Sequence, residues 1–436
     1  MTVDPADLPA HPGRQVTGIG FAVAAIVPGI ALRVSGAAPE PLLAAVIFGA
    51  AIVGAAFLLA WAAEVVQLDI SAGLALAVLA LVAVLPEYAV DLVFTWKAGK
   101  DPARYAPDAL ANMTGGNQLL IGVGWSLVVL LAAWRIRTAR RGKQLKNAYP
   151  VPESTTVVLE RSHSVEIAFL TIATVYGLTL PLHSSLTLFD SGVLVTVFVL
   201  YIVRVARAPA EEPHLVGPAQ VIGELPERRR RTIVVAMFAG AVIAILACAA
   251  PFAESLVHTG ERFNIDEFLL ISLVAPLASE APELLIAGMF AWRLNTNAGL
   301  GALVSSKVNQ WTLLVGTLPI VFAISSASLR GLPIDAVQRE ELFVTAAQSA
   351  FAVAVLANRS INVAEAATML GLFLVQLVTK FPVFSSIHTE ARITVGVVYL
   401  VLAAAILWRQ RRAVRPLLRD GLTAPYSELV SDEVAA

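Results

Sequence analysis

Charged residues are scarce in this chain. Only 14% of its 436 residues carry a charge and 57% are hydrophobic, against about 25% charged in an ordinary soluble domain. Mean hydropathy is +0.75. A soluble fold of this length could not hide so much apolar surface, which excludes cytosolic enzymes and secreted scaffolds. Cysteine is nearly absent: Cys248 stands alone, so an internal disulfide and any multi-cysteine zinc or iron–sulfur site are excluded. The formal net charge of -1 gives no reason to expect nucleic acid as a partner. Histidine occurs six times (His11, His163, His183, His214, His258, His388), always in expected loops or at helix ends, and there is no H-E-x-x-H. No P-loop is present, and the start, from Met1 to Arg14, lacks the basic region of a cleavable signal peptide. What remains is a polytopic membrane protein.

Long apolar runs are abundant. Runs of about 20 residues predict membrane-spanning helices, and twelve are expected, at 16–34, 41–67, 71–97, 107–134, 164–181, 186–204, 233–257, 264–293, 299–326, 340–357, 362–380 and 391–408. The loop after the fourth holds Arg135, Arg137, Arg140, Arg141, Lys143 and Lys146. The linker at 205–232 ends in Arg228–Arg231, and the tail from Arg409 to Arg419 is also basic. All three fall on one side of a twelve-helix count. The positive-inside rule makes that side cytoplasmic, with both termini inside and the plasma membrane as the expected location.

Two segments of the chain resemble each other. LPEYAVDLVFTWKAG at 85–99 aligns with APELLIAGMFAWRLN at 281–295, placing Pro86-Glu87 on Pro282-Glu283 and Trp96 on Trp292. One helix later, GGNQLLIGVG at 115–124 aligns with KVNQWTLLVG at 307–316, so Asn117-Gln118 matches Asn309-Gln310. The similarity extends to helix positions. It predicts an all-α membrane protein of two five-helix units, 41–204 and 233–380, joined by a linker at 205–232. They are flanked by 1–40, with the first helix, and by 381–436, with the last helix and a basic cytoplasmic tail. Five is odd, so the second unit enters the membrane from the opposite side. Inverted-topology repeats are a common plan of secondary transporters.

A carboxylate in hydrocarbon costs several kcal/mol unless it meets a cavity, a partner or an ion. Glu87 and Glu283 each sit within an apolar run, directly after a proline. Proline lacks a backbone N–H and clashes with the preceding turn, so Pro86 and Pro282 free carbonyl oxygens near 82–85 and 278–281. Carboxylates with carbonyl oxygens suit hard cations such as calcium or sodium. In the following helices, Asn112, Thr114 and Asn117 offer further oxygens beside a helix break expected at Gly115-Gly116. Ser305, Ser306, Asn309 and Gln310 do the same in the second unit. Trp96 and Trp292, each followed by a basic residue, read as membrane-interface anchors.

These paired Pro-Glu helices, the polar helices after them and the inverted units resemble the calcium:cation antiporter superfamily, which includes the sodium/calcium exchangers. The resemblance covers helices two to eleven. It implies that Glu87 and Glu283 bind the transported cation and that the chain is an antiporter rather than an enzyme. The family's Gly-Thr-Ser-x-Pro-Glu pattern maps its threonine onto Ser279 in the second unit but Ala83 in the first, and its serine onto Glu280 and Val84. Its Ser-x-x-x-Asn/Asp spacing is met by Ser305 and Asn309. In the first unit Asn117 fits either with Met113 at the serine position or through Gly115-Gly116-Asn117. The hydroxyls of the family's sodium sites are thus partly missing. The implied cargo is calcium or a similar cation exchanged for sodium or protons, with no cofactor, and with the bilayer and inorganic cations as partners.

Three more charges lie near the motifs. Asp91 and Glu280 both fall on the external side of their neighbouring glutamate, by roughly 5–6 Å at about 1.5 Å per residue, and are expected to form an acidic vestibule that gathers cations. Lys307 lies in the second polar segment. Pointing into the site, it would act as a fixed cation, disfavour a divalent ion and leave a sodium/proton exchanger. On a regular helix it lies about 200° around from Ser305, at about 100° per residue. The competing classes are a cation channel and an intramembrane enzyme using Ser306 and Lys307 as nucleophile and base. Gln118 and Gln310 complete the set of residues expected to modulate the site.

Overall fold

The computed structural model describes residues 12–69, 85–141, 151–208, 215, 217–263, 269–381 and 387–429. Its helices are α1 (Pro12–Ser35), α2 (Pro41–Val66), α3 (Leu85–Lys100), α4 (Pro102–Leu119), α5 (Ser126–Arg140), α6 (Ser164–Gly177), α7 (Leu188–Val205), α8 (Pro218–Gly223), α9 (Glu227–Phe263), α10 (Ala275–Trp292), α11 (Thr296–Asn309), α12 (Val315–Ser326), α13 (Ala336–Val355), α14 (Val363–Thr379) and α15 (His388–Leu422). Four two-residue strands, β1 (Val157–Val158), β2 (Ser185–Leu186), β3 (Leu332–Pro333) and β4 (Ser360–Ile361), lie between helices, and π-helical turns occur at Leu120–Trp125, Leu270–Val274 and Gln310–Leu314.

The fold is all-α and polytopic. Among the described residues nine helical stretches are long and apolar enough to cross a membrane. A tenth, Leu270–Ala281 with Glu283–Trp292, is bent at Pro282, and α14 is a shorter apolar helix. The expected third helix, 71–97, is described from Leu85 onward. Ala83, Val84 and the rest of 70–84 lie outside the described residues, as do Lys143 and Lys146. The start of the sixth helix near Asp190 has a local cause. Thr187 and Asp190 form a capping box at the head of α7, with Asp190 Oδ2 accepting from the Thr187 backbone N–H at 2.7 Å. That box satisfies amides which a helix start otherwise leaves bare.

The chain divides into two compact units, one of Met1–Phe94 with Pro209–Pro282 and the other of Thr95–Ala208 with Glu283–Ala436. In the first, small residues let α2 pack closely on its neighbours, as membrane helices do where apolar driving force is weak. Ala55, Leu58, Ala62 and Val65 of α2 share a core with Val234, Ala241, Ile245 and Ala249 of α9. A Cβ on Gly54 would stand 2.5 Å from the Ala22 carbonyl oxygen. Arg230, within the basic run of the linker, grips Asp69 with bonds of 2.7 and 3.0 Å, so the run holds the end of α2 in addition to marking orientation.

In the second unit β1 pairs antiparallel with β4, and β2 with β3. β1 and β2 precede α6 and α7, the fourth and fifth helices of the first expected unit; β3 and β4 precede α13 and α14, the fourth and fifth of the second. Exchanging the repeats carries one bridge onto the other. The caps repeat too. The Asp101 side chain accepts from Arg104 N before α4 and Asn295 from Ala298 N before α11. The Thr187–Asp190 box before α7 is matched by Asn362–Glu365 before α14.

Candidate functional site

The two Asn-Gln motifs lie at the same kind of backbone irregularity. α4 ends at Leu119 and a π-helical turn, Leu120–Trp125, leads into α5; α11 ends at Asn309 and a π-helical turn, Gln310–Leu314, leads into α12. A π-turn inserts a residue into the helical ladder and is frequent at functional positions. The expected break at Gly115-Gly116 is not where the irregularity falls. α4 runs unbroken through both glycines, and Gly116 O accepts from the Leu120 N–H. Glycine lowers helix propensity by only about 1 kcal/mol relative to alanine, and the dense packing around α4 outweighs that. Pro86 and Glu87 lie on the described part of α3.

Both polar helices lie in the compact unit made of Thr95–Ala208 with Glu283–Ala436. Lys307 is fully buried. Its Nζ donates to Asn117 Oδ1 at 2.6 Å and to the Asn117 carbonyl at 3.0 Å, and it lies 4.9 Å from the Trp311 ring centroid. Asn117 Nδ2 donates back to the Met113 carbonyl. The lysine of the second repeat therefore occupies the oxygen that the first repeat offers at its motif asparagine.

The other candidate ligands differ in what holds them. Ser305 Oγ and the Tyr201 hydroxyl of α7 are 2.8 Å apart. Thr114 Oγ1 donates to the Leu110 carbonyl, and Ser279 Oγ to the Pro276 carbonyl, each within its own helix. Both hydroxyls keep lone pairs for a cation. Asn112, Asn309 and Gln310 are buried, whereas Ser306 and Glu283 are half-buried. Gln118 Nε2 donates to Glu341 Oε2 at 3.0 Å and to Thr345 Oγ1 at 2.7 Å, and Gln118 Oε1 accepts from Lys380 Nζ. With both amide donors and its oxygen engaged, Gln118 serves the scaffold.

Glu87 and Asp91 lie on the part of α3 in the first unit, with Ser279 and Glu280 on the first-unit part of α10; all four are buried. Glu283 opens the second-unit part of α10. Asp91 and Glu280 are 1% and 0% exposed, so an acidic vestibule at these two residues requires the protein to open there. Among the described residues no three of His, Cys, Asp and Glu converge as a resident metal site would have them. Sequence reasoning passed over Asp108, a buried acid one turn before Asn112 on α4. An acid inside an apolar run, four residues from a candidate asparagine, was the available signal. It also passed over Glu341, Lys380 and Arg392, which stand near the ends of apolar runs.

Two carboxylate helices, each followed by a polar helix with a π-turn, match a known family. The family described as sodium/calcium exchanger protein matches residues 40–206 and 233–381. The chain belongs to the sodium/calcium exchanger family. The matched segments start and stop within two residues of the expected five-helix units. A crystal structure of the H+/Ca2+ exchanger CAX is 38% identical, with a TM-score of 0.85 over 96% of this chain and 99% of that one. The Ca2+/H+ antiporter YfkE, at 15% identity and a TM-score of 0.59 over 83% of this chain and 98% of that one, shares the fold. No curated protein matches the chain significantly. As a member of this exchanger family it is a multi-pass membrane transporter of the cation antiporter class, and not an enzyme.

Proposed function

We propose that this exchanger moves calcium or a similar cation against protons or sodium by alternating access, with Glu87 and Glu283 as its cation-binding carboxylates. Asn117, Ser279, Ser305 and Asn309 complete the oxygen set. The observation that carries the reading is the duplicated apparatus: a Pro-Glu helix and then an Asn-Gln motif at a π-turn, once in each repeat. Duplication fits a substrate that must meet equivalent ligands from either side of the membrane. Carboxylates that bind a divalent cation also bind protons, so the counter-ion competes at the same oxygens. The 38% identical relative is described as an H+/Ca2+ exchanger, which favours protons over sodium, as do the hydroxyls missing at Ala83 and Val84. The inverted units, 41–204 and 233–380, and cytoplasmic termini in the plasma membrane belong to the same proposal.

A second reading has an observation of its own. Lys307 already holds Asn117, so a fixed ammonium fills part of the first half-site. That arrangement favours a sodium/proton exchanger over a divalent one. The test is ion flux with the purified protein in proteoliposomes, with calcium outside and proton or sodium gradients imposed separately. Saturable calcium uptake driven by the proton gradient, lost in Glu87→Gln, supports the first reading. Sodium/proton exchange without calcium movement supports the second. Non-saturating flux without obligatory exchange defeats both in favour of a channel.

A further inference from the structure

Behind the Asn117-Gln118 turn lies a charged group that the exchange reaction does not itself require. Glu341 of α13 is fully buried. Its Oε2 is 3.0 Å from Lys380 Nζ, at the end of α14, and its Oε1 is 3.6 Å from Arg392 Nη1 of α15. Arg392 Nε also donates to Glu340 at 2.8 Å. Burying such a group is expensive, and well-packed apolar residues of the same volume are often as stable or more so. Stability alone therefore does not account for it.

Its hydrogen bonds converge on one amide. Glu341 and Thr345 take both N–H donors of Gln118, Lys380 gives to its side-chain oxygen, and Gln348 Nε2 gives to its backbone carbonyl at 3.3 Å. α14 touches the same turn at two further points: Gly122 faces Phe373, and Ser126 Oγ donates to the Ala366 carbonyl at 2.9 Å. Ala366, Phe373 and Lys380 are seven residues apart, one face of α14 laid along the π-turn. A π-turn has a weaker ladder than an α-helix, so its geometry depends on such outside support.

We infer that Glu341 is a positioning residue for cation binding: with Lys380 and Arg392 it fixes Gln118, and through Gln118 it aims the neighbouring Asn117 oxygens. This rests on the proposed role of Asn117 as a ligand. Lys307 and Lys380 hold consecutive residues of one turn but differ in kind. Lys307 sits on the ligand oxygen itself, while Lys380 sits on the brace. When Lys307 yields to an incoming cation, the brace keeps the Asn117 oxygens in place.

The test uses the double variant Glu341→Gln/Lys380→Gln, which removes one charge of each sign and keeps hydrogen-bonding groups. Gln118→Met serves as a second variant, leaving the ion group intact and cutting only its tie to the turn. Amide hydrogen exchange over residues 113–125 is expected to rise in both variants while α6 and α7 stay protected. The apparent KM for calcium in proteoliposomes is expected to rise about tenfold or more, the scale seen when partners that orient a metal ligand are lost, with Vmax within about twofold. Wild-type protection at 113–125 overturns the inference, as does loosening spread evenly over the chain or an unchanged KM. A wild-type protein that moves no calcium counts against the transport reading alone, since the exchange-protection result still decides this one.

Discussion

The Lys307 ammonium of the second repeat lies 2.6 Å from the Oδ1 of Asn117, the motif asparagine of the first. A lysine from the polar helix of one repeat thus reaches the motif asparagine of the other. Lys307→Gln removes the charge and keeps a donor for Asn117. A unit charge about 5 Å from a bound cation, at an effective dielectric of about 20, opposes it by about 3 kcal/mol per cation charge. For doubly charged calcium that is about 6 kcal/mol, so calcium affinity should rise by about four orders of magnitude, and the ratio of calcium to proton flux should change with it. Unchanged coupling to calcium, sodium and protons would remove the lysine from the mechanism.

Glu87→Gln and Glu283→Gln should each abolish exchange while leaving the folded protein as stable as before or more so. A neutral amide is cheaper at membrane depth than a carboxylate. Even the outer partners of a metal ligand are worth about 10–100-fold, so flux should fall by more than that. Flux assays paired with thermal unfolding in detergent check both halves; a variant that keeps transport would strike its glutamate from the ligand set.

Tyr201→Phe deletes only the hydroxyl facing Ser305. Loss of one such hydrogen bond costs about 1 kcal/mol of stability. The freed Ser305 Oγ can rotate, so the apparent KM for the cation should rise while Vmax stays near that of the wild type. If neither unfolding nor KM responds, Ser305 is not held by Tyr201 in the working protein.

Asp69 provides a pH signature outside the membrane. Its hydrogen bond from Arg230 is the largest influence on it and, helped by Arg231, holds its carboxyl below the usual range, with burial opposing. A carboxyl depressed in the folded state stabilises fully above its unfolded value, about 3.9, and loses that contribution as pH falls through the folded value. The thermal midpoints of wild type and Asp69→Asn should differ by a constant amount at neutral pH and converge below about pH 4. A gap that stays constant into strong acid would show that the charge of Asp69 is not what Arg230 reads.

Much of the fold is legible in the sequence because its signals are local. Long apolar runs needed no neighbours to be recognised. The Pro-Glu and Asn-Gln motifs showed themselves through duplication. The partners of those motifs were not legible. Gln118 meets Glu341 across 223 residues and Lys380 across 262, and no periodicity encodes which distant helix arrives. Helical geometry could turn Lys307 away from Ser305 but could not name Asn117. The glycine pair misled because propensity is a weak preference that packing overrides. The irregularity came later, in an apolar stretch that includes Gly122 and Gly124.

The two strand bridges also set a timetable for assembly. Val157 pairs with Ile361, which leaves the ribosome 204 residues later. At about 5–20 residues per second, the first half waits roughly 10–40 seconds for its partner strand. Neither bridge can close within one half, so the nascent first repeat must rest in the bilayer with its strand edges and buried polar face unmet. Both bridges together are therefore features of a chain extended past Ile361 and of no shorter nascent intermediate.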